Sequence, residues 1–362
     1  MGVAPRRAIL ASVLAIAFQG TALSAEPAAA KKPAASAPAG KASPSGAQAP
    51  ADKPAGTPAK DAKTPAETAP PLKVTTPAVP ATLDTYVQPD GSGFFALVLP
   101  AETNLANTPG HDVVVLFDTS ASQIGEARSR GLKALDTLLA GCEATDRVAL
   151  MAVDVTALPL TTGFVAPGSS DLKAAVEKLH RRVPLGATDL PLALERAAAA
   201  FSDGDANGKA VVYIGDGVSG AQLLTPPSFA RLSERLVEQH VPVTSYGLGP
   251  KVDDQLLAAL ANYTGGTLVL DAADVDPKAA GLFLAASARA AVAWVAANEW
   301  PQTFEAHYPR RLMPQRSDRE TVIIGRGKIE GTVSLAAVGE AAGRPWQRRW
   351  TANAGKPSDD FS

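Results

Sequence analysis

Five oxygen-bearing side chains stand at the ends of predicted strands or near the starts of predicted helices, and together they could hold a divalent cation. Carboxylate and hydroxyl oxygens are hard ligands of the kind that Mg2+ prefers, and Mg2+ commonly keeps several of its waters. The sequence therefore predicts a site for Mg2+, or for Mn2+, built from three separate loops. The five residues are Asp118, Ser120, Ser122, Thr188 and Asp216.

The elements that must position these residues alternate between strands and helices. Continuous β-branched runs such as residues 112–117 (DVVVLF) are typical of strands buried on both faces of a sheet. The alternation predicts an α/β fold with a doubly wound, mostly parallel sheet, whose ligands bind outside the carboxyl ends of the strands. Strands are predicted over residues 112–117, 147–153, 209–214, 243–248 and 267–270, and helices over residues 124–139, 171–182, 189–201, 228–239 and 253–263.

The order D-x-S-x-S, then Thr, then Asp resembles the metal-ion-dependent adhesion site of the von Willebrand factor type A family. The resemblance covers residues 112–271, with Asp118, Ser120 and Ser122 followed by Thr188 and Asp216. It implies that a carboxylate of the partner completes the coordination of the metal and that the domain is not an enzyme. We therefore expect a protein or glycan partner that offers a carboxylate.

One position departs from the pattern of this family. Gly215 stands where a Thr commonly precedes the aspartate. Because that Thr is not a principal ligand of the family's metal, the resemblance still implies a complete site.

Other interpretations of the same residues compete with the metal site. Ser120 and Ser122 are suited to cap the first predicted helix, since hydroxyls favour that position. Residues 215–220 (GDGVSG) match a dinucleotide fingerprint, but two prolines at 226–227 stand where its helix should run. Asp118 is similar to the nucleophile of haloacid-dehalogenase-type phosphatases, but Ser120 replaces their acid/base aspartate. Residues 203–208 (DGDANG) match the start of an EF-hand loop, whose closing glutamate is replaced here, so a plain turn is favoured, with weak calcium binding as the alternative.

Composition excludes several classes of function. The 34 Lys and Arg residues against 36 Asp and Glu residues give a net charge of −2, which does not indicate a nucleic-acid partner. The single cysteine, Cys142, excludes an intrachain disulfide framework and a zinc site built from cysteines. None of the four histidines lies in an H-E-x-x-H motif or near a G-x-S-x-G motif, which are typical of hydrolases. The four are His111, His180, His240 and His307.

The first 80 residues differ from the rest of the chain. Residues 1–25 combine Arg6 and Arg7 with a short apolar run, which predicts a cleaved signal peptide, with an uncleaved anchor as the alternative. Residues 26–80 are rich in Ala, Pro and Lys and predict a disordered linker, because they bury too little apolar surface to offset the entropy of ordering. We expect a secreted, periplasmic or cell-envelope-associated protein with no membrane span after signal cleavage.

Two regions flank the predicted α/β domain of residues 111–275. Residues 81–110 predict a β-hairpin around Asp90. Residues 276–352 predict a helix and a small β module that pairs with the hairpin, and residues 353–362 form a polar tail. The predicted elements after the domain are a helix over residues 277–297 and strands over residues 303–308, 320–324 and 332–338.

The sequence thus predicts an exported protein that binds a partner through a divalent metal. A structural envelope scaffold, in which the metal only stabilises the fold, is the alternative from another class. A metal-dependent phosphatase is a third and less favoured interpretation.

Overall fold

The computed structural model describes residues 72–201 and 207–357. The predicted signal peptide, the linker up to residue 71, most of the EF-hand-like segment and the end of the polar tail lie outside the described residues. Within the described ranges, no helix is both long enough and apolar enough to cross a membrane.

The elements of the described residues follow the predicted alternation and add further strands on both sides of it. The strands are β1 (Val79–Pro80), β2 (Thr82–Val87), β3 (Gly93–Leu99), β4 (His111–Asp118), β5 (Arg147–Val153), β6 (Ala157–Pro159), β7 (Gly208–Gly215), β8 (Val243–Gly247), β9 (Leu268–Leu270), β10 (Val292–Glu299), β11 (Ala306–Tyr308), β12 (Gln315–Arg316), β13 (Thr321–Arg326), β14 (Thr332–Ala341) and β15 (Arg344–Asn353). The helices are α1 (Glu126–Ala140), α2 (Ser170–Arg181), α3 (Leu190–Ala200), α4 (Pro226–Glu238), α5 (Asp254–Thr264) and α6 (Pro277–Ala288).

A six-stranded sheet with the order β6-β5-β4-β7-β8-β9 forms the middle layer of the α/β domain. Its strands are parallel except for β6, a short antiparallel strand at one edge. Every residue of β4 is buried, which explains why its sequence lacks polar alternation. The predicted fold class, a doubly wound and mostly parallel sheet, is confirmed.

Two apolar cores hold helices on both faces of this sheet. Successive side chains of a strand point to opposite faces. Val113 and Val115 of β4 therefore face α1, α2 and α6, whereas Val114 and Leu116 face α3, α4 and α5. Burying one Val or Leu side chain is worth about 1.5–3 kcal/mol, so these two cores are what holds the three layers together.

The predicted helix over residues 277–297 is wrong in its second half. Helix α6 ends at Ala288, and β10 begins at Val292. Arg289 caps the helix and forms ion pairs with Glu143 and Asp146, which lie before β5. The following residues are extended because β10 pairs along its length with β14.

The hairpin and the late strands form one β module, as predicted. Strands β2 and β3 pair with each other, and β3 also pairs with β13. The chain segments that precede and follow the α/β domain therefore meet in one sheet. A second sheet, with the order β1-β15-β14-β10-β12, packs on the first. Phe95, Ile323, Leu335 and Trp350 contribute to the core between the two sheets. Strand β15, which carries Trp346 and Trp350, was not among the predicted elements.

Arg316 of β12 joins the β module to the α/β domain. The side chain is 1% exposed. Its guanidinium donates to the carbonyl oxygen of Gly265 at 2.7 Å, and to the carbonyl oxygen and Oγ of Ser287 at 3.0 and 3.1 Å. It also pairs with Asp318 within its own module. Acceptors from both the α/β domain and the β module thus stabilise the charge of this buried arginine.

We expect Arg316→Ala to lower the free energy of unfolding by about 3 kcal/mol, because it breaks the ion pair with Asp318, leaves the carbonyl of Gly265 without this donor and takes one donor from Ser287. Urea denaturation measures this loss. Arg326→Ala is the control, since Arg326 pairs with Glu305 where both side chains are more than half exposed, and exposed pairs contribute about 0–1 kcal/mol. Equal losses for the two variants would contradict the joining role of Arg316.

Candidate functional site

The candidate site lies where the strand order of the central sheet reverses. Strand β4 is followed along the chain by β5 on one side, and its other neighbour, β7, leads on to β8 and β9. Asp118 is the last residue of β4, and Asp216 follows directly after β7. Ligands of open parallel sheets bind at such a reversal, outside the carboxyl ends of the strands. The topology therefore brings two of the predicted residues to the expected edge.

The carboxylate of Asp118 is completely buried and fully hydrogen-bonded. Its Oδ1 accepts from the backbone N–H of Ser120 at 2.8 Å. The Oγ1 of Thr188 lies 3.1 Å from Oδ1 and 3.0 Å from Oδ2, and the hydroxyl of Tyr213 donates to Oδ2 at 2.8 Å. Donors from three separate segments therefore converge on one carboxylate.

Burial shifts the ionisation of this cluster. It raises the pKa of Asp118, and the carboxylate of Asp216 raises it further, whereas the hydrogen bonds from Ser120 and Tyr213 oppose the increase. Burial also raises the pKa of Tyr213 well above its ordinary value, so its hydroxyl keeps its proton. The tyrosine therefore acts as a neutral donor to Asp118 at any physiological pH.

The hydroxyls of Ser120 and Ser122 face each other beside this carboxylate. Their Oγ atoms lie 2.9 Å apart. Neither serine caps a helix through its side chain: Ser120 makes no such bond to the single 3-10 turn over Ala121–Gln123, and Gly125 precedes α1. The capping interpretation of these two residues is therefore wrong.

Two separations between these oxygens, each within a hydrogen bond, are also compatible with neighbouring ligands of a small cation. An octahedral Mg2+ has metal–oxygen distances of about 2.1 Å, which puts neighbouring ligands about 3.0 Å apart. The separations of Ser120 Oγ from Ser122 Oγ and of Thr188 Oγ1 from Asp118 Oδ2 are 2.9 and 3.0 Å. The described residues contain no group of three or more His, Cys, Asp or Glu side chains that could hold a metal, so a metal here would depend on hydroxyl ligands.

Asp216 adjoins the other four residues without a direct hydrogen bond to them. Its Oδ2 accepts from Gln123 Nε2 at 3.2 Å, and its Oδ1 accepts from the N–H of Val218 at 2.9 Å. Gln123 is buried and belongs to the same loop as Ser120 and Ser122. Hydrogen bonds thus link four of the residues: Asp118, Ser120, Ser122 and Thr188. Asp216 is connected to the loop of Ser120 and Ser122 through its hydrogen bond with Gln123.

Backbone hydrogen bonds connect the loops around the site to one another. Ala121 N–H donates to the carbonyl of Gly186 and Leu185 N–H to that of Thr119, both at 2.9 Å. Ala221 N–H donates to the carbonyl of Thr188 at 3.1 Å. The positions of these loops are consequently fixed relative to one another.

Sequence reasoning missed Tyr213 and Gln123 as members of this site. Tyr213 lies two residues before Gly215 on β7, and residues two apart on a strand share a face. That spacing was the available signal for Tyr213. Gln123 offered none, since a glutamine in a polar loop is ordinarily exposed.

Gly215 has a physical reason to be glycine. A Cβ at this position would lie 2.4 Å from the Cβ of Asp118 and 2.5 Å from the hydroxyl oxygen of Tyr213. Neither neighbour can withdraw cheaply, because both are buried and hydrogen-bonded to each other. The departure from the family pattern is therefore imposed by the packing of Tyr213.

Comparisons with known proteins agree with the fold of this domain. A family model described as the von Willebrand factor type A domain matches residues 111–270. A solved structure described as von Willebrand factor type A from Catenulispora acidiphila is similar over 80% of this chain and 76% of that chain, with 14% identity and a TM-score of 0.51. Residues 111–270 have the type A fold.

Another solved structure shares lower similarity with the chain. The ArnB paralog VWA2 from Sulfolobus acidocaldarius matches 77% of this chain and 76% of its own, with 12% identity and a TM-score of 0.43. No curated protein matches the chain. We refer to residues 111–270 as the type A domain.

We expect Gly215→Ala to destabilise the type A domain by about 1–3 kcal/mol, because an added methyl group has no space between Asp118 and Tyr213. Thermal and urea unfolding in EDTA measure the loss without any contribution from metal. Gly355→Ala is the control, since a Cβ there meets no atom within 4 Å. A Gly215→Ala protein as stable as the control would show that the site has room for a side chain.

Proposed function

We propose that the type A domain binds a protein partner outside the cytoplasm through a divalent cation, Mg2+ or Mn2+. The observation that carries this proposal is a pair of hydroxyls 2.9 Å apart beside a fully buried, hydrogen-bonded carboxylate. When bound, the cation would supply a Lewis-acidic position that accepts a carboxylate oxygen from the partner. The residues that would hold it are Asp118, Ser120, Ser122, Thr188 and Asp216.

The residues of the chain would prepare this position in two ways. The two carboxyl groups of Asp118 and Asp216 would together balance the charge of a divalent cation. Thr188 and Tyr213 fix the orientation of Asp118, and Gln123 does the same for Asp216. Because these groups are buried, water screens their interaction with a cation less than it would screen the interaction of exposed groups.

The surface around the site favours a protein partner over a glycan. Three loops carry the site residues: residues 119–125 (TSASQIG), 182–189 (RVPLGATD) and 216–225 (DGVSGAQLLT), whose charged residues are Arg182, Asp189 and Asp216. The loop after β8, residues 248–253 (LGPKVD), borders Asp216 and carries Lys251 and Asp253. Ile124, Leu185 and Leu223 on these loops are 63%, 73% and 82% exposed. Exposed apolar patches mark interaction sites for other proteins. We call these three residues the apolar rim.

The apolar rim is specific to this edge of the sheet. Val183 and Val218 on the same loops are also exposed. In the part of the chain that the structure describes, no exposed large aliphatic or aromatic side chain lies in the loops that precede the parallel strands. This difference in exposed apolar side chains between the two edges of the sheet supports a partner that approaches the carboxyl edge.

Binding, and not catalysis, is the activity we propose. Ser120 stands where a phosphatase of the haloacid-dehalogenase type would need a carboxylic acid, and the site loops offer no histidine as a base. Export through the predicted signal peptide would place the site at a cell envelope. The structural scaffold is the competing proposal, and a metal-dependent capture experiment separates the two.

We expect the full chain, stripped of metal with EDTA and then dialysed, to bind one equivalent of Mn2+ or Mg2+ in a calorimetric titration. Asp118→Ala should abolish this binding, because it removes a carboxylate at the centre of the site. Asp112→Ala is the matched control: Asp112 is also fully buried on β4, but it pairs with Arg147 at the other end of the strand. Identical metal binding by wild type and Asp118→Ala would refute the metal assignment.

We expect the immobilised chain to retain an envelope protein in Mg2+ and to release it in EDTA. Leu185→Ser and Leu223→Ser should each weaken this retention about tenfold, since burying a leucine is worth about 1.5–3 kcal/mol. Leu282→Ser is the control, because Leu282 is 57% exposed on α6, away from the site loops. Retention that is undiminished in EDTA would favour the scaffold, and retention that both rim variants leave unchanged would exclude the apolar rim from the interface.

A further inference from the structure

Tyr213 and Gly215 form a single structural unit next to the candidate metal site. Both residues belong to β7 and, being two apart, they present their side-chain positions on the same face of the strand. The hydroxyl oxygen of Tyr213 lies 2.5 Å from where a Cβ of residue 215 would be. The phenol therefore occupies the space that a side chain at position 215 would need.

The tyrosine hydroxyl connects the two loops that carry the carboxylates. It donates to Asp118 Oδ2 at 2.8 Å and accepts from the backbone N–H of Gly217 at 3.1 Å. Because the N–H of Gly217 can only donate, the hydroxyl hydrogen must point to Asp118. Gly217 directly follows Asp216 and has a φ of +75°, so its amide direction is set by a turn that glycine favours.

The role of this hydroxyl is distinct from filling the core. Tyr213 is 1% exposed, and a phenylalanine would fill nearly the same apolar volume. Only the oxygen reaches both Asp118 and Gly217. Removing it would leave one carboxylate oxygen with one donor fewer and one buried amide without its acceptor.

We propose that Tyr213 is a positioning residue of the metal site, which uses its hydroxyl to hold Asp118 and the Asp216 loop in the arrangement that binds a divalent cation. This inference rests on the proposed function. Groups that orient metal ligands without touching the metal typically change its affinity by 10–100-fold when they are removed. Tyr213 lies two residues before Gly215, and its hydroxyl occupies the position that a side chain of residue 215 would fill.

The test compares Tyr213→Phe with Tyr246→Phe in the full chain. Tyr246 is also completely buried, lies on the neighbouring strand β8 and donates its hydroxyl to an aspartate, Asp271, which is not part of the site. Each variant therefore loses one buried hydroxyl that is bonded to a carboxylate. The dissociation constant for Mn2+ is measured by the electron paramagnetic resonance of free Mn2+, at a temperature where circular dichroism shows every variant to be folded.

We expect Tyr213→Phe to raise the dissociation constant for Mn2+ about 10–100-fold. Tyr246→Phe should leave it within about twofold of wild type, because the side chain of Tyr246 packs in the core on the opposite face of the sheet from Tyr213. Both variants should lose thermal stability in EDTA, and the stabilisation that added Mn2+ gives should be smaller for Tyr213→Phe alone.

A Tyr213→Phe protein that binds Mn2+ as tightly as wild type, while Asp118→Ala does not bind, would overturn the positioning role and leave the metal site intact. Equal weakening by the two tyrosine variants would also overturn it, since the effect would then follow from lost stability. Identical binding by wild type and Asp118→Ala would refute the proposed function and this inference with it.

Discussion

The buried carboxylate of Asp118 is the constraint on which the arrangement of the site depends. A charged group without partners in a protein interior costs several kcal/mol, so a fold that ends its central strand in an aspartate must bring donors to it. One donor comes from the loop of Ser120, one from the segment before α3 through Thr188, and one from β7 through Tyr213. Satisfying this single side chain thus fixes the relative positions of three segments that are far apart in sequence.

The parallel topology of the sheet explains why part of the site could be predicted from the sequence. A strand such as β4, apolar at almost every position, belongs in the middle of a parallel sheet, and all carboxyl ends of such a sheet share an edge. Polar residues that follow these strands must then meet there, even without knowledge of the helices between them. The proximity of Asp118, Ser120 and Ser122 to Asp216 follows from topology alone. The position of Thr188, in the loop between α2 and α3, and the hydrogen bonds among these residues do not.

Other features depend on contacts that local sequence does not carry. The apolar stretch over residues 277–297 suits a helix or a buried strand equally well, and its division is set by the ion pairs of Arg289 and the pairing with β14. Strand β15 was missed for a related reason. Trp346 and Trp350 share one face with Arg348, which is tolerated there only because the buried carboxylate of Glu102 pairs with it. Each case involves a partner that is distant in the sequence.

The packing of the β module determines which edge of the type A domain remains available to a partner. The module contacts loops at the amino ends of the parallel strands: Arg316 and Arg319 bind the carbonyls of Gly265 and Gly266 before β9. Trp294 stacks on His240, which precedes β8, with ring centroids 4.9 Å apart. Because the strands are parallel, these contacts all lie at the edge opposite Asp118. These contacts therefore leave the exposed aliphatic side chains of Ile124, Leu185 and Leu223, at the carboxyl edge, uncovered.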